Sequence, residues 1–237
     1  MSSPREYCQK CRRPEKACFC SSLTAFDTKT RIVILMHPLE SRRSHIGTGR
    51  LTHIALKNSE IIIDKEFDSN KRFNELMESP HYFPLLLYPG KESINIDTTN
   101  LHFSNIENKE FLIFVLDGTW PCAKSMMKKT TKLHSLPKIS FNPKKLSQFL
   151  IKQQPGEFCL STIESVYYLL KGLETQAIEN ILPEKEQLLT VLKETVLFHQ
   201  NCARNPSLNN YSRTSKSMTP LTKRTPSKKW NTRKIEF

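Results

Sequence analysis

A chain of 237 residues that is 38% hydrophobic, with aromatic and aliphatic residues both present, is long enough to bury one substantial core, which excludes a disordered or fibrous protein. Its charge is uneven: of a formal net +13, +8 falls between Arg204 and Phe237, where nine basic residues face one acid, Glu236, and such a balance points to a polyanion such as nucleic acid. No apolar run approaches the roughly 20 residues of a membrane helix, and the first ten residues (MSSPREYCQK) lack the apolar stretch of a secretory signal, so a cytoplasmic protein without a membrane partner is expected.

Thiols stay reduced in that compartment, and seven cysteines then read as metal ligands or small buried hydrophobes rather than disulfides. Cys8-x-x-Cys11 and Cys18-x-Cys20 supply four soft ligands within thirteen residues, the set a structural zinc ion needs, although the second pair has one intervening residue instead of two. Residues 1–26 are therefore expected to form a small zinc module. Its loop basics, Arg12, Arg13 and Lys16, read as solvated or as phosphate contacts.

Thr30 to Met36 (TRIVILM) predicts a core strand buried on both faces, ended by His37-Pro38-Leu39-Glu40 with Arg42 and Arg43 beyond. His37 suits a turn residue bonded to backbone, and Glu40 an ion pair with an arginine. The guanidinium groups of Arg42, Arg43 and Arg50 suit phosphate or carboxylate recognition, and they are the expected nucleic-acid-binding set. Thr48 is expected to cap a helix running to about Asn58, followed by a strand over Glu60 to Ile63 and a further helix in the polar stretch after it. Phe83 to Tyr88 predicts another strand, stopped by Pro89-Gly90, where glycine permits positive φ and close approach to a ligand.

Phe111 to Leu116 is a further buried strand, and it ends in Asp117-Gly118-Thr119-Trp120. Ligands gather at the carboxyl ends of strands in parallel sheets, so this acid, hydroxyl and indole form a candidate site. Pro121 opens a helix to about Leu133, with Met126 and Met127 as core filler, and its amino end suits an anionic group. Lys128, Lys129 and Lys132 lie on that helix as a solvated or RNA-facing set. A short strand follows over Ile139 to Phe141. Ser161-x-x-Glu164 is a capping box that starts a helix through Leu170, and Pro183-Glu184 opens a final amphipathic helix. Periodicity vanishes from Arg204 onward, where residues 204–237 read as a mobile basic tail carrying Trp230, either a base-stacking group or an anchor. Alternating strands and helices over 27–203 predict an α/β domain with a mostly parallel sheet.

Asp117-Gly118-Thr119-Trp120 resembles the Asp-x-Thr-Trp signature of the DTW-domain family. His37-Pro38-Leu39-Glu40, Leu87-Tyr88-Pro89-Gly90 and Leu160-Ser161-Thr162-Ile163-Glu164-Ser165 are similar to further family segments, the last with Ser165 for alanine. Gly47-Thr48-Gly49 departs from the family's Asn-Thr-Gly, and Lys152 stands where arginine is frequent. The likeness spans roughly Cys8 to Cys202. It implies a SPOUT-like, knotted α/β fold and transfer of the 3-amino-3-carboxypropyl group of S-adenosylmethionine to N3 of a tRNA uridine. Under that resemblance Pro89, Gly90, Gly118, Thr119, Trp120, Ser161 and Thr162 are the expected cofactor-binding residues. Asp117 is the expected catalytic residue, as proton acceptor or uracil-orienting group, unless it holds the cofactor's ammonium or ribose. Two alternatives stand beside this reading: a SPOUT-type RNA methyltransferase, and a non-enzymatic zinc-containing RNA-binding factor.

Overall fold

Two uninterrupted apolar runs become neighbours at the centre of one sheet. The computed structural model describes residues 6–42, 47–103, 106, 108–143, 146–151, 159–181 and 183–205. Arg31–Met36 (β1) pairs in parallel with Glu110–Asp117 (β5), and every residue from 32 to 36 and from 111 to 115 is buried. Successive side chains point to opposite faces of a strand, so a run buried throughout requires cover on both sides. Ile32, Ile34, Ile113 and Val115 pack with Thr48–Ala55 (α2), Thr162–Thr175 (α5) and Glu186–Arg204 (α6), through Leu51, Val166 and Leu192. Val33, Leu35, Leu112 and Phe114 pack on the other face with Lys71–Met77 (α3) and Trp120–Lys129 (α4), where the Phe73 and Phe114 ring centroids lie 5.0 Å apart.

Ser59–Ile63 (β2), Tyr82–Leu87 (β3), Ile94–Asn95 (β4) and Lys138–Ser140 (β6) complete a six-stranded sheet in the order β2-β1-β5-β3-β6-β4, with every pairing parallel. β5 comes late in the chain yet lies between β1 and β3. Met36 stands opposite Asp117 and Leu87 opposite Val115, so these three strands finish at nearly one level. That register delivers His37, Asp117 and Tyr88-Pro89-Gly90 to the same end of the sheet. Pro38–Arg42 (α1) turns away directly after β1.

The edge strand β2 is fastened by charge as well as by the ladder. Glu60 accepts from Arg72 Nε at 2.8 Å and Nη2 at 2.9 Å, and from Arg31 Nη2 at 2.8 Å. The cysteine-bearing N-terminal segment packs onto the same core as α2, α5 and α6: Cys11 is buried there, and Phe19 meets the Phe198 ring edge-on at 5.7 Å.

Several elements differ from the sequence expectation. α2 is capped by Gly47 rather than Thr48, with no side-chain cap bond, and it stops at Ala55 because Ser59 Oγ and the Leu56 carbonyl close the turn into β2. Pro183 opens a turn, and α6 begins at Glu186. β4 has two residues, too few to leave a periodic trace. Arg43, Lys152, Trp230 and the tail from 206 onward lie outside the described residues. Among the described residues no helix is long and apolar enough to cross a membrane.

Candidate active site

The carboxyl ends of β3, β5 and β6 and the start of α5 surround a cavity of about 1050 Å³. Pro89 and Gly90 form one wall, Asp117, Gly118, Thr119 and Trp120 another, and Ser161 and Thr162 a third. Three segments far apart in sequence therefore share one pocket. Phe141 and Phe149 add aromatic surface to the same cavity.

Asp117 sits at the pocket floor and is 5% exposed. Its backbone carbonyl accepts from the His37 N–H at 2.8 Å, and its Oδ1 accepts from the Thr162 hydroxyl at 2.5 Å. Gly49 presses on the other carboxylate oxygen: a Cβ added there would stand 2.6 Å from Oδ2 and 2.8 Å from Cγ. Only glycine leaves room for that approach. The acid is thus set by β5, α5 and the first turn of α2 together, an arrangement that preorganises a proton acceptor or hydrogen-bonding anchor. His37 takes the role expected of it, its Nδ1 accepting from the Leu39 N–H at 3.2 Å. Glu40 is buried and lines the cavity.

Glu164 does more than cap a helix. It is 2% exposed and accepts four hydrogen bonds: from the Ser161 N–H at 2.8 Å, the Ser161 hydroxyl at 2.6 Å, the Ser147 hydroxyl at 2.8 Å and the Gln148 N–H at 2.6 Å. It therefore ties the segment bearing Phe149 to the Ser161–Thr162 wall. The two hydroxyls at this wall are engaged, Ser161 with Glu164 and Thr162 with Asp117, so the helix start offers a ligand backbone and dipole more than free hydroxyl groups. Sequence reasoning saw the capping box but not the clamp, because Ser147 and Gln148 carry no motif of their own.

Gly90 does not use the conformation expected of it: among the described residues no glycine has positive φ. Its value lies in space, since an added Cβ would meet nothing within 4 Å. Beside it, burial pushes the Tyr88 phenol up, which keeps it a protonated donor at the pocket wall. Trp120 is partly exposed on the cavity rather than buried beneath the loop.

The sulfurs of Cys8, Cys11, Cys18 and Cys20 lie within 4.8 Å of one another, with Cys8 and Cys20 at 3.9 Å and Cys11 and Cys18 at 3.7 Å. Four sulfurs about 2.3 Å from a central zinc stand roughly 3.8 Å apart, so the cluster has the dimensions of a tetrahedral thiolate site. The Cys11 backbone amide holds the Cys8 thiol down to about 7, while burial pushes Cys11 up to about 11. Cation binding at such a site displaces protons.

The basic residues divide. Arg42 is exposed on α1, and Arg50 is half-buried, where burial and then Arg12 lower its pKa while Asp117 and Cys11 oppose them. Arg13 departs from the solvated loop residue expected, at 1% exposed. Its guanidinium donates to Thr195 Oγ1 at 3.1 Å and to the Gly47 carbonyl at 3.2 Å, which removes it from any RNA-facing surface. Of the helical lysines, Lys128 and Lys129 are exposed, and Lys132 donates to Asn74 Oδ1 at 2.6 Å.

The profile of the DTW domain family matches residues 5–200. A relative from Drosophila melanogaster, tRNA-uridine aminocarboxypropyltransferase 2, is 30% identical over 203 residues, covering 83% of this chain and 75% of the fly protein. The protein of the same name from Macaca fascicularis is 30% identical over 175 residues, covering 72% of this chain and 57% of its own length. Arabidopsis thaliana tRNA-uridine aminocarboxypropyltransferase A is 27% identical over 219 residues, covering 82% and 81%. No solved structure matches. With its profile matched across most of the chain and its signature segments gathered at one pocket, the chain belongs to the DTW domain family.

Proposed function

We propose that this chain is a tRNA-uridine aminocarboxypropyltransferase, forming 3-(3-amino-3-carboxypropyl)uridine and 5′-methylthioadenosine from a tRNA uridine and S-adenosylmethionine. The observation that carries the reading is the convergence of Pro89-Gly90, Asp117 to Trp120 and Ser161-Thr162 on one cavity floored by a buried carboxylate. The relatives' names point the same way. A cavity of this size holds a nucleoside cofactor with a base beside it, and the open space over Gly90 allows a ligand to lie against the backbone.

Bound S-adenosylmethionine supplies a sulfonium whose neighbouring carbons are electrophilic. The protein must then choose the carbon presented and free N3 of its proton, so orientation contributes most of the advantage. Asp117 accepts the N3 proton as N3 bonds to the terminal carbon of the aminocarboxypropyl chain and the carbon–sulfur bond breaks, its electron pair staying on sulfur. Thr162 holds the carboxylate for that task and Gly49 limits its swing. Trp120, Thr119 and Gly118 wall the adenosyl group and uracil, and the amino ends of α4 and α5 face the cofactor's carboxylate. Arg42, Arg43, Arg50 and the basic tail bind RNA phosphates.

The same proposal includes structural zinc on Cys8, Cys11, Cys18 and Cys20, a module over 1–26, a catalytic domain over 27–203, a tail over 204–237, a SPOUT-like knotted threading of the parallel sheet, and work in the cytoplasm. Incubation with unmodified tRNA and S-adenosylmethionine, followed by nucleoside mass spectrometry and adenosyl-product analysis, tests it. The expected outcome is a uridine heavier by the aminocarboxypropyl group, with methylthioadenosine released. A single added methyl with adenosylhomocysteine, or no modified nucleoside, would overturn the assignment.

A further inference from the structure

Arg13 is among the largest fully buried side chains of the protein, at 1% exposed. A guanidinium does not shed its charge, and a buried charge needs an opposite one nearby. Its two hydrogen bonds go to neutral oxygens, Thr195 Oγ1 on α6 and the carbonyl of Gly47, and among the described residues no carboxylate pairs with it. The cysteine cluster lies directly beside it: Arg13 stands two residues past Cys11, and its own carbonyl accepts from the Cys8 N–H at 2.8 Å. Cysteine binds zinc as thiolate, and four thiolates around a divalent ion carry a net −2. Arg13 therefore gains its counter-charge when the cluster is loaded.

The far end of the same guanidinium grips the turn that enters α2. Gly47 is the N-cap of that helix and has no side chain to fix itself. Two residues on, Gly49 abuts the Asp117 carboxylate. A continuous path thus runs from the thiolate cluster through Arg13 and the Gly47 carbonyl to the acid at the pocket floor. We infer that Arg13 is a positioning residue that couples metal loading of the cysteine cluster to the geometry of the 47–50 turn and, through Gly49, of Asp117. The catalytic meaning of that coupling rests on the transferase reading, but the coupling itself is readable without substrate.

Hydrogen exchange of the full chain, zinc-loaded and after chelation, tests it on the wild type and on Arg13→Met and Arg13→Lys. Chelation of the wild type is expected to speed exchange of a peptide spanning 47–52 by about tenfold or more, and Arg13→Met to do so without chelation. Chelating Arg13→Met then adds nothing further at that peptide, and Arg13→Lys, which keeps the charge, falls between. Chelator competition shows weaker zinc retention in Arg13→Met. Effects that multiply, that fall on different peptides, or that leave 47–52 unchanged would overturn the inference. Should Arg13→Met fail to fold, Thr195→Val removes one bond to the guanidinium and keeps its charge, and it must still loosen 47–52; an unchanged peptide would overturn the inference. If the transferase reading is right, Arg13→Met also lowers kcat with KM for tRNA unchanged. Inactive wild-type protein with intact exchange coupling sinks the function alone, and active protein without coupling sinks this inference alone.

Discussion

Gly49→Ala adds one methyl group at the most crowded point of the site. The new Cβ would lie 2.6 Å from Asp117 Oδ2 and 3.1 Å from Met36 Cε, where ordinary contact begins at 3.4 Å, so about 0.8 Å of movement is needed. α2 resists retreat, because Leu51 and Ala55 are fully buried and the Gly47 carbonyl is held by Arg13. The carboxylate is then the group that gives, and its 2.5 Å bond to Thr162 is stretched or lost. Overpacking of this kind costs about 1–3 kcal/mol, a fall in Tm of roughly 2–4 °C per kcal/mol for a chain of this size. Misplacing a reacting group by about 1 Å costs about a hundredfold in kcat. Thermal melts with single-turnover formation of modified uridine measure both. Gly90→Ala is the control for stability, since its methyl enters space free of protein atoms and is expected to leave Tm unchanged. Wild-type turnover in Gly49→Ala would refute the claim that this contact sets the acid.

Glu164→Gln replaces an acceptor of four hydrogen bonds by a group with an N–H₂ that faces donors, and it is expected to cost about 2–4 kcal/mol in denaturant titration while weakening S-adenosylmethionine binding through the loosened Phe149 segment; unchanged cofactor affinity would separate the clamp from the pocket. Gly90→Trp should fill cavity space, lowering cofactor affinity about tenfold or more in a binding titration with Tm preserved, because nothing packs where the new side chain goes. Glu60 tests a pH effect: its hydrogen bonds to Arg72, and then to Arg31, hold its pKa below the ordinary value against the opposing effect of burial. The stabilisation is therefore present above the unfolded pKa and lost as pH falls through the folded one. Glu60→Gln should lower stability by about 1 kcal/mol at neutral pH and lose that deficit under strong acid, and parallel Tm curves down to about pH 3 would contradict this.

The parts of the fold readable in advance were those written locally. Consecutive apolar residues from Ile32 to Met36 and from Phe111 to Val115 demanded burial on both faces, and both strands sit at the centre of the sheet. Asp117 and the Ser161-Thr162 helix start were visible because strand ends and capping boxes carry chemistry in a few adjacent residues. What escaped was set by tertiary approach. Nothing near Gly49 announces Asp117, which is far along the chain and reaches it only because β5 inserts beside β1. Arg13 looked like a loop cation until α6 and the Gly47 turn closed over it. The Glu164 capping pattern hid a longer reach to Ser147 and Gln148, and Gly90 turned out to supply room rather than an unusual φ.

Asp117→Asn reaches the central claim most directly. Asparagine preserves shape and can still take the Thr162 hydrogen bond on its carbonyl oxygen, but it cannot accept the N3 proton. The measurement is single-turnover uridine modification on tRNA with saturating S-adenosylmethionine, alongside cofactor affinity and Tm. A fall of about 10²–10⁴ in the chemical step, with affinity and Tm close to wild type, is the predicted result. Undiminished turnover would contradict the assignment of the buried strand-end carboxylate as the group that drives the transfer.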